Sequence, residues 1–133
     1  MRYLALTAAA LLVVPPTMAP AASQPWQTAT ATSVIAGISG RSTFVIDAYV
    51  TLPQSCYAAR VQTYAVTTGL NRSFIVVQRG GSMCSGPAYS CVAAQTFNLP
   101  IQHKFDVHTK GKTWRVTVGA HIPAPTQPMC RKS

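Results

Sequence analysis

Lys104-Phe105-Asp106-Val107-His108-Thr109-Lys110-Gly111-Lys112-Thr113-Trp114-Arg115-Val116-Thr117-Val118 is the stretch that decides the fold. Apolar and polar residues alternate on both sides of Lys110-Gly111, the period-two pattern of strands with one wet face. Gly111 supplies the positive φ that a two-residue hairpin turn requires. With that turn, Val107 faces Trp114 and Phe105 faces Val116 on the core side, while Asp106 stands opposite Arg115 on the wet side. One register therefore satisfies the core and places an ion pair worth roughly 0.2–1 kcal/mol. A one-residue slip would bury the charges.

The same alternation extends towards the N-terminus. Phe44, Ile46, Ala48, Val50 and Leu52 line one side of a strand, with Asp47, Tyr49 and Thr51 on the wet side. Tyr57, Ala59, Val61 and Ala65 oppose Ala58, Arg60, Gln62 and Tyr64 in the next. Phe74-Ile75-Val76-Val77 reads as a central strand, and Cys91 to Leu99 alternates again with Ala93 and Phe97 inward. Strands are thus expected over 32–38, 43–52, 57–66, 72–79, 91–99, 104–109 and 113–119. Gly40, Pro53, Gly69, Gly80-Gly81, Gly86-Pro87 and Pro100 punctuate them. Seven short strands with no helical spacing between them predict an all-β chain: a single seven-stranded antiparallel immunoglobulin-like sandwich with two disulfides, with a small β-barrel as the alternative.

The first residues read as an export signal, residues 1–21. Arg2 provides the positive start, Tyr3 to Val14 is mostly apolar, and Ala19-Pro20-Ala21 is a small-residue cleavage site. The apolar run of about 12 residues is shorter than the roughly 20 that span a bilayer, so no membrane span is expected in the mature chain. Residues 22–31 read as a loose leader, 32–119 as the sandwich and 120–133 as a Pro-rich tail tied by a disulfide. Cys56, Cys84, Cys91 and Cys130 form an even set in a small exported chain, which reads as two disulfides in a secreted or periplasmic protein. Of three possible pairings, strictly alternating strands favour Cys56 with Cys91, leaving Cys84 for Cys130.

Thr51-Leu52-Pro53-Gln54-Ser55-Cys56-Tyr57, Cys91-Val92-Ala93-Ala94-Gln95-Thr96-Phe97 and the closing Lys110 to Val118 strand resemble small exported bacterial Ig-like β-sandwich domains. The resemblance spans about residues 43–119. It implies a non-catalytic periplasmic or secreted module. The second cysteine pair and the Pro-rich tail depart from the pattern.

Asp47 and Asp106 are the only acidic side chains in 133 residues, against eleven Lys and Arg. Most hydrolytic, phosphoryl-transfer and hard-metal sites need several carboxylates or histidines, so no catalytic residue, cofactor or metal site is assigned. Asp106 and His108 share a strand face but lie about 7 Å apart, too far for a triad hydrogen bond. The positive field points to an anionic envelope polymer, or else a protein, as partner. The residues for it are Arg60, Lys104, Lys110, Lys112, Arg115, Arg131 and Lys132, with Arg72 and Arg79 in the wider basic set. An alternative reading is an enzyme inhibitor that uses a disulfide-clamped loop over 80–90, with Met83 and Tyr89 as its wedge. A third is a weak copper binder built on Met83-Cys84 and Met129-Cys130, since thioether and thiolate favour soft metals.

Overall fold

Alternating residues build strands and nothing else. A computed structural model describes residues 24–64, 72–98 and 103–132, and among these it holds eight strands and no helix. They are β1 (Gln27–Thr28), β2 (Ala31–Ile38), β3 (Thr43–Leu52), β4 (Ala58–Thr63), β5 (Ser73–Arg79), β6 (Tyr89–Asn98), β7 (Lys104–Thr109) and β8 (Lys112–Gly119). The export segment 1–21, Ala65, Gly69, Leu99 and Pro100 lie outside the described residues.

The β7–β8 hairpin has the register its sequence dictates. Val107 pairs Trp114, Phe105 pairs Val116 and Asp106 pairs Arg115, with Gly111 at φ 81° in the turn. The strands join into one curled, mixed sheet in the order β1-β5-β7-β8-β2-β3-β6, and β4 lies on the opposite edge of β5. β7 and β1 share one edge of β5, the former along Ser73–Ile75 and the latter along Val77–Gln78.

Two expectations are corrected. The sheet is not purely antiparallel, because β2 pairs β8 and β5 pairs β7 in parallel. From β2 onward, successive strands alternate in direction, so strands an even number apart that become neighbours must run parallel. The strand order also departs from the immunoglobulin one, in which the third of seven strands sits beside the sixth. Here β5, not β4, lies beside β7. Phe74 of β5 packs edge-on against Phe105 of β7 at 5.0 Å between centroids. The far edge of β4 is occupied by the tail.

That tail closes the curl. Val92 donates its backbone N–H to the Pro128 carbonyl, Cys130 donates to Val92, and Ala59 donates to Arg131, all at 2.8–2.9 Å. Met129 therefore bridges β6 and Arg131 bridges β4, both in parallel. Upstream, residues 121–126 cross the outside of the β2-β3-β6 portion. A Cβ on Gly37 would lie 2.7–2.8 Å from the backbone of His121 and Ile122, so only glycine admits the crossing there. Further along, the Thr126 N–H reaches the Tyr49 hydroxyl.

The disulfides are Cys56–Cys84 and Cys91–Cys130, not the pairing expected from strictly alternating strands. All four cysteines do gather at one end, and lateral position decides between them. β4 and β5 are hydrogen-bonded neighbours, so the segments flanking Ala58 and Arg79 emerge side by side. The tail lies between β4 and β6, separating Cys56 from Cys91 and bringing Cys130 to the latter.

Inside the curl, the far end is filled by all four phenylalanines. Phe44, Phe74, Phe97 and Phe105 approach one another at 4.7–6.1 Å between centroids, contacts worth about 0.5–1.5 kcal/mol each beyond area burial. The near end holds the Cys91–Cys130 bridge, with Tyr57 and Tyr89 packed against it and the rest of the core. Outside, Asp47 is 3% exposed although its side of β3 reads as wet. The tail accounts for this, because it passes over Gly37 and Tyr49 on either side. Burial raises the Asp47 carboxyl above its usual range.

Two predictions follow from the tail. Loop-closure entropy alone assigns the two bridges about 3.6 and 3.9 kcal/mol for their separations of 28 and 39 residues. Cys91→Ser with Cys130→Ser is therefore expected to cost more than Cys56→Ser with Cys84→Ser by well over that small difference in urea unfolding. It should also unprotect the Val92 and Ala59 amides in hydrogen exchange; equal losses with intact protection would refute the closing role. For Asp47, a folded pKa above the unfolded 3.8 means its favourable contribution is complete below that value and is lost as pH rises through the folded one. Asp47→Asn should thus stabilise the protein at neutral pH and converge with the parent in acid. A variant no more stable than the parent at neutral pH contradicts the reading.

Candidate anion-binding face

β4, β5, β7 and β8 turn one continuous face to solvent, and strand alternation selects what stands on it. Ala59, Val61, Phe74, Val76, Phe105, Val107, Val116 and Val118 point into the core. Their neighbours Arg60, Gln62 and Tyr64, Arg79, Lys104, Asp106 and His108, and Arg115 therefore share the outer side. Alternation alone puts Arg60 with Tyr64 on the wet side of β4, and Lys104 with Arg115 on that of the β7–β8 hairpin. The curled sheet merges the two.

At the disulfide end of this face, Trp26 lies against β4 and β5. The Gln24 N–H donates to the Gly80 carbonyl at 3.1 Å, and Gln27 pairs Gln78, which carries the indole onto the outer side. Arg60 and Arg79 both stack on it, with guanidinium carbons 4.1 and 4.4 Å from the ring centroid. Val77, an outward residue beneath them, is thereby buried. Arg60 Nε donates to Gln62 Oε1 at 3.1 Å. Ala58, the small residue between, pairs Arg79 on one side and Arg131 on the other. At the opposite end, Tyr64 packs on His108 with centroids 4.8 Å apart. Four residues of strand, about 13 Å, separate Arg60 from Tyr64.

Asp106 is the acid on this face, and Arg115 Nη1 donates to its Oδ1 at 3.0 Å. Both side chains are well exposed, at 41% and 67%, so the pair adds at most about 1 kcal/mol. His108 Nδ1 is within 3.2 Å of Thr113 Oγ1. Asp106 and His108 are thus engaged with different partners. Asp47, the remaining acid, is buried on the other portion of the sheet.

Lys110, Lys112 and Arg131 lie towards the disulfide end without joining the stack. Lys110 lies in the hairpin turn, where its N–H donates to Ala29. Lys112 sits over the Trp114 ring at 3.7 Å. Arg131 lines a shallow hollow of about 310 Å³ beside the Cys56–Cys84 bridge, together with Gly81, Ser82 and Met83. Arg72 and Lys132 are exposed.

The loop over 80–90 is anchored by both bridges. Met83 projects from it at 88% exposure, whereas Tyr89 opens β6 and packs against the core. The two Met-Cys pairs do not meet as a soft-metal site. Each cysteine is consumed in a separate disulfide, and the described residues contain no group of three His, Cys, Asp or Glu suited to a metal ion.

Trp26 is the residue that periodicity misses, because β1 is only two residues long and shows no alternation. Its one signal is an aromatic in an otherwise small and polar leader. No family model matches the chain, no curated protein is significantly similar to it, and no solved structure matches its fold.

Neutralising the single acid on this face gives a direct check. Asp106→Asn should change stability by less than about 1 kcal/mol while raising the salt concentration needed to elute the protein from a cation exchanger. A large loss of stability would mean that the Arg115 pair organises the hairpin.

Proposed function

We propose that this protein is an exported, non-catalytic binding or accessory module whose basic outer face holds an anionic envelope polymer. The observation that carries this reading is one sheet face presenting Arg60, Arg79, Lys104 and Arg115 against Asp106 alone. Trp26 and Tyr64 interleave with those cations, the combination that grips an extended polyanion through charge and stacking together. Two disulfides suit an oxidising periplasmic or extracellular setting. Among the described residues no helix is long and apolar enough to cross a membrane. The sequence resemblance of residues 43–119 to small exported bacterial domains supports the same role.

A second reading rests on Met83. A highly exposed apolar side chain on a loop fixed at Cys84 and Cys91 is the form of an inhibitory wedge, since a pre-ordered loop loses little entropy on docking.

Retention on immobilised heparin separates the two. The basic-face reading predicts binding at low ionic strength that falls steeply with salt. Combined Arg60→Gln, Lys104→Gln and Arg115→Gln should abolish it, whereas replacing loop 80–90 with a Gly-Ser linker should not. Absence of retention at low salt eliminates the basic-face reading. Partner capture from envelope extract that is lost only on loop replacement supports the wedge.

A further inference from the structure

We infer that the Arg60–Trp26–Arg79 cluster is a recognition site for a phosphomonoester group, a deeper statement that rests on the basic-face reading above. Two guanidinium groups crowd one indole at 4.1 and 4.4 Å. Two positive charges drawn to one ring repel each other, and an anion beside them relieves that repulsion. The chain has no side chain to supply one: it contains two acids, of which Asp47 is buried elsewhere and Asp106 is engaged by Arg115. An anionic ligand would meet no carboxylate competitor there.

The donors are arranged for a tetrahedral oxyanion. Stacking occupies the flat face of a guanidinium and leaves its in-plane N–H fork free. Among the described residues Arg60 hydrogen-bonds through Nε alone, to Gln62, which leaves its terminal amino groups to donate. Trp26 holds both forks before any ligand arrives, which lowers the ordering cost of binding. Buried Ala58 pairs Arg79 on one edge of β4 and Arg131 on the other, which sets Arg131 at the margin of the cluster on the tail side. A phosphomonoester carries a charge of about −1.5 to −2 at neutral pH, matching two arginines better than the single charge of a sulfate ester or phosphodiester.

The test follows the two tryptophan indole N–H resonances of the intact protein. Phenyl phosphate should shift the Trp26 signal and leave that of Trp114 in place. Phenyl sulfate should bind about tenfold more weakly, consistent with one lost charge-assisted contact. Arg60→Gln and Arg79→Gln should each weaken phenyl phosphate binding at least about tenfold, and Arg79→Lys should not restore it because the fork is lost. Trp26→Ala, which keeps both charges, should weaken it as well. Arg41→Gln, in the exposed turn between β2 and β3, should have little effect. Correct folding of each variant is checked by the dispersed methyl signals of the core.

Phosphatidylcholine vesicles doped with phosphatidic acid or with phosphatidylglycerol identify the source. Binding to the phosphatidic acid vesicles assigns the group to a lipid headgroup; binding of phenyl phosphate alone assigns it to a soluble phosphate ester. Equal affinity for phenyl phosphate and phenyl sulfate overturns the inference. So does salt-dependent heparin retention with no Trp26 shift, although that result leaves the basic-face reading standing. Loss of both heparin retention and the Trp26 shift removes the two together.

Discussion

A curled sheet that does not meet itself leaves two strand edges unsatisfied, and here the Pro128–Arg131 segment satisfies both. Its hydrogen bonds to Val92 and Ala59 give β6 and β4 a common partner. Unpaired edges invite association with other chains, and exposed backbone polar groups within a sheet carry a free-energy cost. The tail as a whole, residues 121–131, also explains features that otherwise look unrelated: the buried Val92 on an outward position, the glycine required at position 37 and the burial of Asp47. Cys130 fixes it to Cys91 inside the core.

The basic face depends on that closure. β4 is hydrogen-bonded to β5 on one side and to the tail on the other, which fixes Arg60 beside Arg79 and sets Arg131 at the margin of the same face. Chain-wide poverty in acids then determines its electrostatics. With Asp106 given to Arg115, the Trp26 cluster rests on an aromatic surface and the neutral Gln62 amide, the former an attraction worth about 0.5–1 kcal/mol per cation at exposed sites. That suffices to orient the guanidinium groups and does nothing to neutralise them.

Strands were legible in the residues because alternation is a local signal. The β3, β7 and β8 boundaries lie within one residue of expectation, and the Val107–Trp114 and Asp106–Arg115 register follows from side-chain chemistry and Gly111 alone. What was not legible is non-local. Alternation cannot say which strand lies beside which, so β5 next to β7 and the parallel contacts had no sequence signal. Cysteine pairing inherited that ambiguity, since its answer depends on a tail lying between β4 and β6. The outward side of Asp47 was read correctly from the pattern, but its burial depends on a segment that arrives some seventy residues later in the chain. Half of the candidate site followed the same logic: Arg60 was expected on the outer face, while the docking of Trp26 arises from a two-residue strand too short to show a period.

Residues 121–127 have no regular secondary structure, and such stretches ordinarily absorb insertions and deletions most easily. This one is fixed at its start by Gly37, midway by the Tyr49 hydroxyl and at its end by Cys130, with Pro123, Pro125 and Pro128 stiffening what lies between. Adding or removing one residue would offset the cysteine from its mate by a full strand step of about 3.3 Å. The span that looks most like slack is therefore a ruler whose length is set by the width of the strands beneath it.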